Sequence, residues 1–434
     1  MPEPRRRRAN PYRLYLYGIE APLAVLIALA QTTCVVYYVT SGHLNPLQLV
    51  TLGTSVELSY FATQLPTGLL ADLVSRRLCV ITGTVLTGTG LAEQGLSPDF
   101  TNLLVGQFVI GLGAALQEGA LDAWIADELD EHRMTPVYLR ATQVTLAGSV
   151  LGAVLSALLA TRRLYLPLLL GGSAVVLVGA ALAATMPEHR TPAPAPQTRR
   201  ARARLLRAAW TGLARQCANS KTAITAVPGF ALLLGAVFFT GLWSESFDRL
   251  WGDFLLHDIR LPNLLGLHPA DWFATISITV SLLALASTRL AANRTEHPDG
   301  RTTGRTLLAL TGLICAGVLV MAAAGDFAVA IGAYLFVQAL RPVSYPLLTG
   351  WIVARVDPGV RATVLSARDM FDSAGQIAGG PVVGWIGVTT TIRTALYAGA
   401  LALLPALALL RTATTRMRPR TTAAPEPECG QTPG

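Results

Sequence analysis

Four acidic side chains stand in stretches that are otherwise apolar. Glu57 lies in LGTSVELSYFATQLP, Glu20 in YLYGIEAPLAVLIALA, and Glu118 and Asp122 sit four residues apart in AALQEGALDAWIA. An ionised carboxylate at the centre of a lipid bilayer costs about 3 kcal/mol or more, so it faces a partner or a water-filled cavity. A carboxylate that meets a dry cavity in one state and water in another can take up and release a proton between them. Glu20, Glu57, Glu118 and Asp122 are therefore proton-coupling candidates, with Glu57 and Asp122 foremost. Pairing with arginine or helix capping is the plainer alternative for each.

Arg341, beside Pro342, needs an acidic partner or an anionic ligand if it too lies inside an apolar span. Arg341, Asp369, Tyr345 and Trp243 are candidates for contact with a substrate or coupling ion. Arg368 with Asp372, and Glu245 with Arg249, are spaced i,i+4, so each pair is expected to neutralise itself on one helix. That leaves Asp248 and Asp369 without a local partner. Tyr37, Tyr60, Phe61, Trp243, Phe247, Trp251, Tyr345 and Trp351 can line an aromatic cavity, or else pack and belt the membrane interfaces.

Other chemistries lack their residues. A phosphate-cradling loop needs a glycine frame before Lys-Ser/Thr, and the one lysine, Lys221, has none. The six histidines are dispersed, without H-E-x-x-H or G-x-S-x-G, so an enzyme is not expected. Cys34, Cys79, Cys217, Cys315 and Cys429 show no C-x-x-C, so no metal, disulfide or cofactor is expected.

The elements that must position these groups are membrane helices. The chain has 434 residues, 52% of them hydrophobic and 14% charged, too little polar surface for a water-soluble globule of this size. A helix needs roughly 20 apolar residues to cross a bilayer, and all its backbone groups must be paired within it. Apolar length and turn signals predict twelve helices near 14–39, 46–71, 78–96, 100–126, 137–160, 164–185, 225–250, 270–288, 306–324, 327–352, 362–388 and 393–411. The net charge of +8 follows from membrane orientation rather than nucleic-acid binding, because arginines gather in alternate connections. Arg76, Arg77, Arg133, Arg140, Arg289 and Arg355 fall on one side. Arg162, Arg163, Arg249, Arg260 and Arg393 fall on the other, with the Arg162–Arg163 pair the least regular feature. Both termini are thus expected in the cytoplasm of a cell whose inner membrane holds the chain.

The longest hydrophilic interruption, 187–222, opens with TPAPAP and continues into a basic stretch. It divides the chain into a basic N-terminus (1–13), a six-helix bundle (14–186), a cytoplasmic linker (187–222), a second six-helix bundle (223–412) and a disordered tail (413–434).

Between the second and third helices runs PTGLLADLVSRR. Gly68, Asp72, Arg76 and Arg77 resemble the signature loop of the major facilitator superfamily, although Leu73 replaces a usual basic residue and Ser75 a usual glycine. The resemblance implies a conformational latch at these four residues. In the fourth helix GQFVIGLGAA resembles the superfamily's second motif with Gln107 where an arginine is usual, and that arginine is implicated in proton transfer in drug:proton antiporters. Gly148 and Gly152, and Gly375, Gly379, Gly380 and Pro381, have small-residue spacings that allow close helix packing, and Pro381 can bend a gate. The resemblance implies an all-α, twelve-helix fold of two bundles and a monomeric secondary transporter. Its closest drug-efflux likeness implies export of a small amphiphilic molecule by proton antiport. Proton-coupled uptake, or a receptor or structural role in the membrane, stays open.

Overall fold

A computed structural model describes residues 10–73, 75–129, 134–187, 229–263, 266–292, 300–356 and 361–416. The Arg5 to Arg8 cluster, the linker beyond Pro187 and the tail beyond Arg416 lie outside the described residues. Twelve helical stretches follow in order: α1 (Pro11–Thr40), α2 (Pro46–Leu73), α3 (Arg76–Gln94), α4 (Phe100–Glu128), α5 (Met134–Ala160), α6 (Leu166–Thr185), α7 (Phe230–Ile259), α8 (Pro269–Ala292), α9 (Gly300–Ala323), α10 (Phe327–Val353), α11 (Arg361–Thr389) and α12 (Ile392–Arg416).

Local chemistry sets several starts. Asn45 and Gln48 exchange hydrogen bonds with each other's backbone N–H at 2.9 and 3.0 Å, a reciprocal cap with Pro46 at the first helical position of α2. Asp99 and Asp326 accept the first free backbone N–H groups of α4 and α10, each at 3.0 Å. Ser75 does the same for α3, accepting from Leu78 N at 3.0 Å. The glycine expected at this position of the signature loop has thus been replaced by a working helix cap.

Several predicted bounds need correction, among them the start of α9, which lies at Gly300 rather than 306. Helix α1 starts at Pro11, because Asn10 caps it, and α12 runs on to Arg416. Helix α7 continues to Ile259, its last turn widened to π-type winding, so Arg249 lies well inside the helix, where the i,i+4 spacing placed it. The Arg162–Arg163 pair does lie in the turn between α5 and α6.

Nine of the described helices are long and apolar enough to cross a membrane. The three that fall short are α2, α3 and α11. Helices α2 and α11 pack on each other across the centre of the molecule, so they have less need of a lipid-compatible surface and can carry polar side chains.

Each half has two apolar cores. In the first, Tyr15, Ile19, Trp124 and Ile125 form one, and Tyr38, Leu49, Leu91 and Leu103 the other. In the second, Phe230, Leu233 and Trp351 form one, and Phe247, Leu250, Tyr334 and Val337 the other. The halves interlock where the α1–α2 and α7–α8 connections lie. There Val50 joins the core of the second half, Leu256 packs on that of the first, and Val35 meets Gly252. Leu47 and Pro46 reach Gly384 and Gly387 at the same end. We call this the joined end; the opposite end carries Pro11 and Arg416, the terminal residues of α1 and α12.

Candidate functional site

Four ionisable side chains of the second half, Arg341, Arg368, Asp369 and Asp372, line one cavity. Arg341 on α10 grips Asp248 on α7 through two bonds, Nη1 to Oδ1 at 2.5 Å and Nη2 to Oδ2 at 2.8 Å. Its guanidinium lies 5.2 Å from the Trp243 ring centre. The partner Arg341 required is therefore supplied, and Asp248 is not unpaired. The two residues sit on different helices 93 positions apart, beyond the reach of any spacing rule.

Arg368 does not pair with Asp372 as the i,i+4 spacing predicts. It bonds its neighbour Asp369 and donates to Thr349 Oγ1 at 2.7 Å, with its guanidinium 4.0 Å from the Tyr345 ring centre. The guanidinium is thus drawn onto α10 and leaves Asp372 to accept from Gln376 at 2.9 Å. Glu245 and Arg249 do form the expected pair, at 3.0 Å. Trp243, Arg341, Tyr345, Arg368, Asp369 and Asp372 share the wall of one cavity of about 220 Å³, completed by apolar residues of α7, α9, α10 and α12.

Glu57 lies midway along α2 and accepts a hydrogen bond from Ser373 of α11 at 3.2 Å. This hydrogen bond joins the two halves. Nearby, Gly53 meets the Glu245–Arg249 pair so closely that a Cβ would overlap the carboxylate, and Gly380 meets Thr54 in the same way. Small residues let α2 approach α7 and α11 here. Glu57 is within electrostatic reach of Glu245, Arg249 and Asp372.

The other predicted acids lie in the first half. Glu118 on α4 accepts from the Tyr60 hydroxyl at 2.5 Å. Asp122 lies beside Tyr138 of α5. Glu20 accepts from Thr145 at 3.4 Å and lines a polar cavity of about 480 Å³ between the halves, with Gln31, Gln117, Ser149, Ser277 and Ser281. Asp122 is within electrostatic reach of both Glu20 and Glu118, so these three candidates are neighbours with different hydrogen-bond partners.

In the signature loop, Arg76 binds the Ala123 carbonyl at 2.8 Å and the Asp127 carboxylate, and Arg77 the Ala183 carbonyl at 2.5 Å. The cations thus tie α3 to the C-terminal turns of α4 and α6, where positive charge suits the helix dipole. The surroundings of Gly68 and the Asp72 side chain lie outside the described residues. Gln107, at the motif's arginine position, donates to the Tyr38 hydroxyl at 3.2 Å and to Gln94 Oε1 at 3.1 Å, forming a buried uncharged triad that sequence reading did not find.

Gly148 and Gly152 admit α1 at Ala24, Val25 and Ala28, and Gly375 and Gly379 admit α7 at Phe238 and Leu242. Pro381 lies inside α11. Of the aromatic residues, Trp243 and Tyr345 reach the cavity, whereas Tyr37, Phe247 and Trp351 are buried in the cores. Phe247 stacks on Tyr334, which in turn stacks on Trp251.

Two six-helix bundles that interlock at one end, with charged and polar cavities at mid-depth, define a transporter that works by alternating access rather than an enzyme. The chain belongs to the Major Facilitator Superfamily, whose sequence model matches residues 21–365. Among solved structures it resembles a bacterial homologue of the human lysosomal transporter Spinster in its inward-facing, unoccupied conformation, at TM-score 0.69 and 15% identity over 94% of this chain and 98% of that one. It also resembles the nucleoside transporter NupG, at TM-score 0.70 and 11% identity over 93% and 99% of the two chains. A transporter of the POT family in complex with 5-aminolevulinic acid matches at TM-score 0.70 and 12% identity over 93% and 96%. At these identities the likeness is one of fold.

Proposed function

We propose that this chain exports a small amphiphilic organic molecule across the cytoplasmic membrane by exchange with protons, as a monomer with both termini in the cytoplasm. The observation that carries the reading is the Glu57–Ser373 hydrogen bond. It puts an acid that, among the described residues, has no cation in hydrogen-bond contact at the seam where the halves must part. A proton arriving at Glu57 changes the charge of that seam, and the change is felt by both halves at once.

The joined end then faces outward, in keeping with the arginine distribution, and the cavities belong to an inward-facing state. The outer arginines have structural uses that offset their placement: Arg393 caps α9 by donating to the carbonyls of Ala322 and Ala324 at 2.9 and 2.6 Å. Arg76 and Arg77 act as the inner latch through the ends of α4 and α6.

The test is dye movement in inverted membrane vesicles energised to pump protons inward. Accumulation of a hydrophobic fluorescent dye that an uncoupler abolishes supports export. Loss of preloaded dye on energisation supports proton-coupled uptake instead, and no movement in either state removes both.

A further inference from the structure

We infer that Arg249 is the positioning residue of the proton step: one of its nitrogens holds Glu245, and the others receive Glu57 once that acid has given up its proton, so the proton leaves while the halves stay joined. This rests on the transport reading above. Arg249 binds Glu245 through Nε alone, at 3.0 Å, and among the described residues its two terminal nitrogens take no hydrogen-bond partner. Most of its donors are therefore unused. Arg341 and Arg368, by contrast, are spent, the first on Asp248 and Gln338 and the second on Asp369 and Thr349. The Glu245–Arg249 pair lies against Gly53 of α2, and Glu57 stands one turn along the same face of that helix. Glu57 accepts from Ser373 through Oε2, and among the described residues its Oε1 takes no hydrogen bond. Unused donors on α7 thus face an unused acceptor on α2. Cys34 and Tyr38 of α1 are also within electrostatic reach of Arg249, so it addresses the first half on two helices.

The surrounding charges decide what this arrangement does. Glu245 and Arg249 face Glu57 from α7, and Asp372 from α11. Glu118 of α4 is held by Tyr60, which also lies within reach of Asp369. With its proton Glu57 adds no charge, and the Ser373 hydroxyl suffices for it. Without the proton, Glu57 is one more carboxylate beside Glu245 and Asp372, and a single hydroxyl does not offset its removal from water. The guanidinium stays charged, and its fork of donors can serve two carboxylates at once. The Arg249 side chain is 31% exposed, which leaves its end room to turn. The step moves one proton from the Glu57 carboxyl to water on the inner side.

The experiment follows the infrared band of the protonated Glu57 carboxyl, assigned by its loss in Glu57→Gln, as pH is raised on the full chain in lipid nanodiscs. Arg249→Gln is expected to move the midpoint upward by about one pH unit, a proton held about tenfold more tightly. Arg249→Lys should stay near the wild-type midpoint. Glu245→Gln, which removes a like charge and leaves Arg249 wholly to Glu57, should move it downward. Spin labels at Leu96 and Leu267 read the halves in the same samples: above the midpoint the wild-type distance stays short, and in Arg249→Gln it lengthens. A midpoint that Arg249→Gln leaves unmoved, or that Glu245→Gln moves upward, overturns the inference, and the second result decides even where Arg249→Gln does not fold. A Glu57 that titrates without regard to Arg249 removes this inference alone. A Glu57 with no titrating proton removes the proton-exchange reading on which it rests.

Discussion

Arg341 on α10 and Asp248 on α7 form a two-point ion pair that ties two helices of the second half across its cavity. Removing one partner strands the other. Fully buried pairs cost about 3–5 kcal/mol when broken in this way, but Asp248 is 40% exposed, so water recovers part of the loss. Arg341→Met is expected to destabilise the chain by about 2 kcal/mol, and the double change with Asp248→Asn by less. Thermal unfolding in detergent measures both, with Asp248→Asn alone beside them; a double loss equal to the sum of the single losses would mean that the pair is not coupled.

Glu57→Gln keeps the shape of the side chain and its bond with Ser373 while removing the titrating group. Insertion and gradient-free exchange of dye across proteoliposomes should persist. Accumulation driven by a proton gradient should fall to the uncoupled level, and its survival would take Glu57 out of the coupling.

Gln107→Arg restores the charge usual in the superfamily's second motif, but here the site is a buried neutral triad with Tyr38 and Gln94. A guanidinium without an acid costs several kcal/mol, on the order of the 3 kcal/mol or more of an unmatched charge in a span. Lower yield and a lower unfolding temperature are expected. A stable, active variant would mean that the triad yields to accept the charge.

Gly53→Val places a branched side chain where the Glu245–Arg249 pair lies against α2. The clash belongs to the joined state alone, so the chain should shift toward the opposite one. Transport should drop at least about tenfold with insertion retained, as read by initial rates in vesicles; a wild-type rate would show that α2 and α7 separate freely here.

The helices were legible because apolar length and turn residues are local signals, and the signature loop because its residues are contiguous. The pairing of charges was legible only where it was local too. Glu245 with Arg249 follows the i,i+4 rule, whereas Arg368 obeys the geometry of α10, which brings Thr349 and Tyr345 to it and frees Asp372. Asp248 with Arg341, Glu57 with Ser373 and the Gln107 triad depend on which faces of distant helices meet. No spacing within one helix encodes that.

The claim beneath all of these is that the halves rock about the Glu57 seam. It is tested by electron–electron distance measurements between spin labels on exposed positions. One pair, at Leu96 and Leu267, lies toward the joined end, and the other, at Tyr17 and Leu290, toward the terminus-bearing end. The wild-type chain in lipid nanodiscs should favour a short first distance with a long second, and Gly53→Val should lengthen the first while shortening the second. Distances that stay fixed, or that lengthen together, would contradict alternating access in this protein.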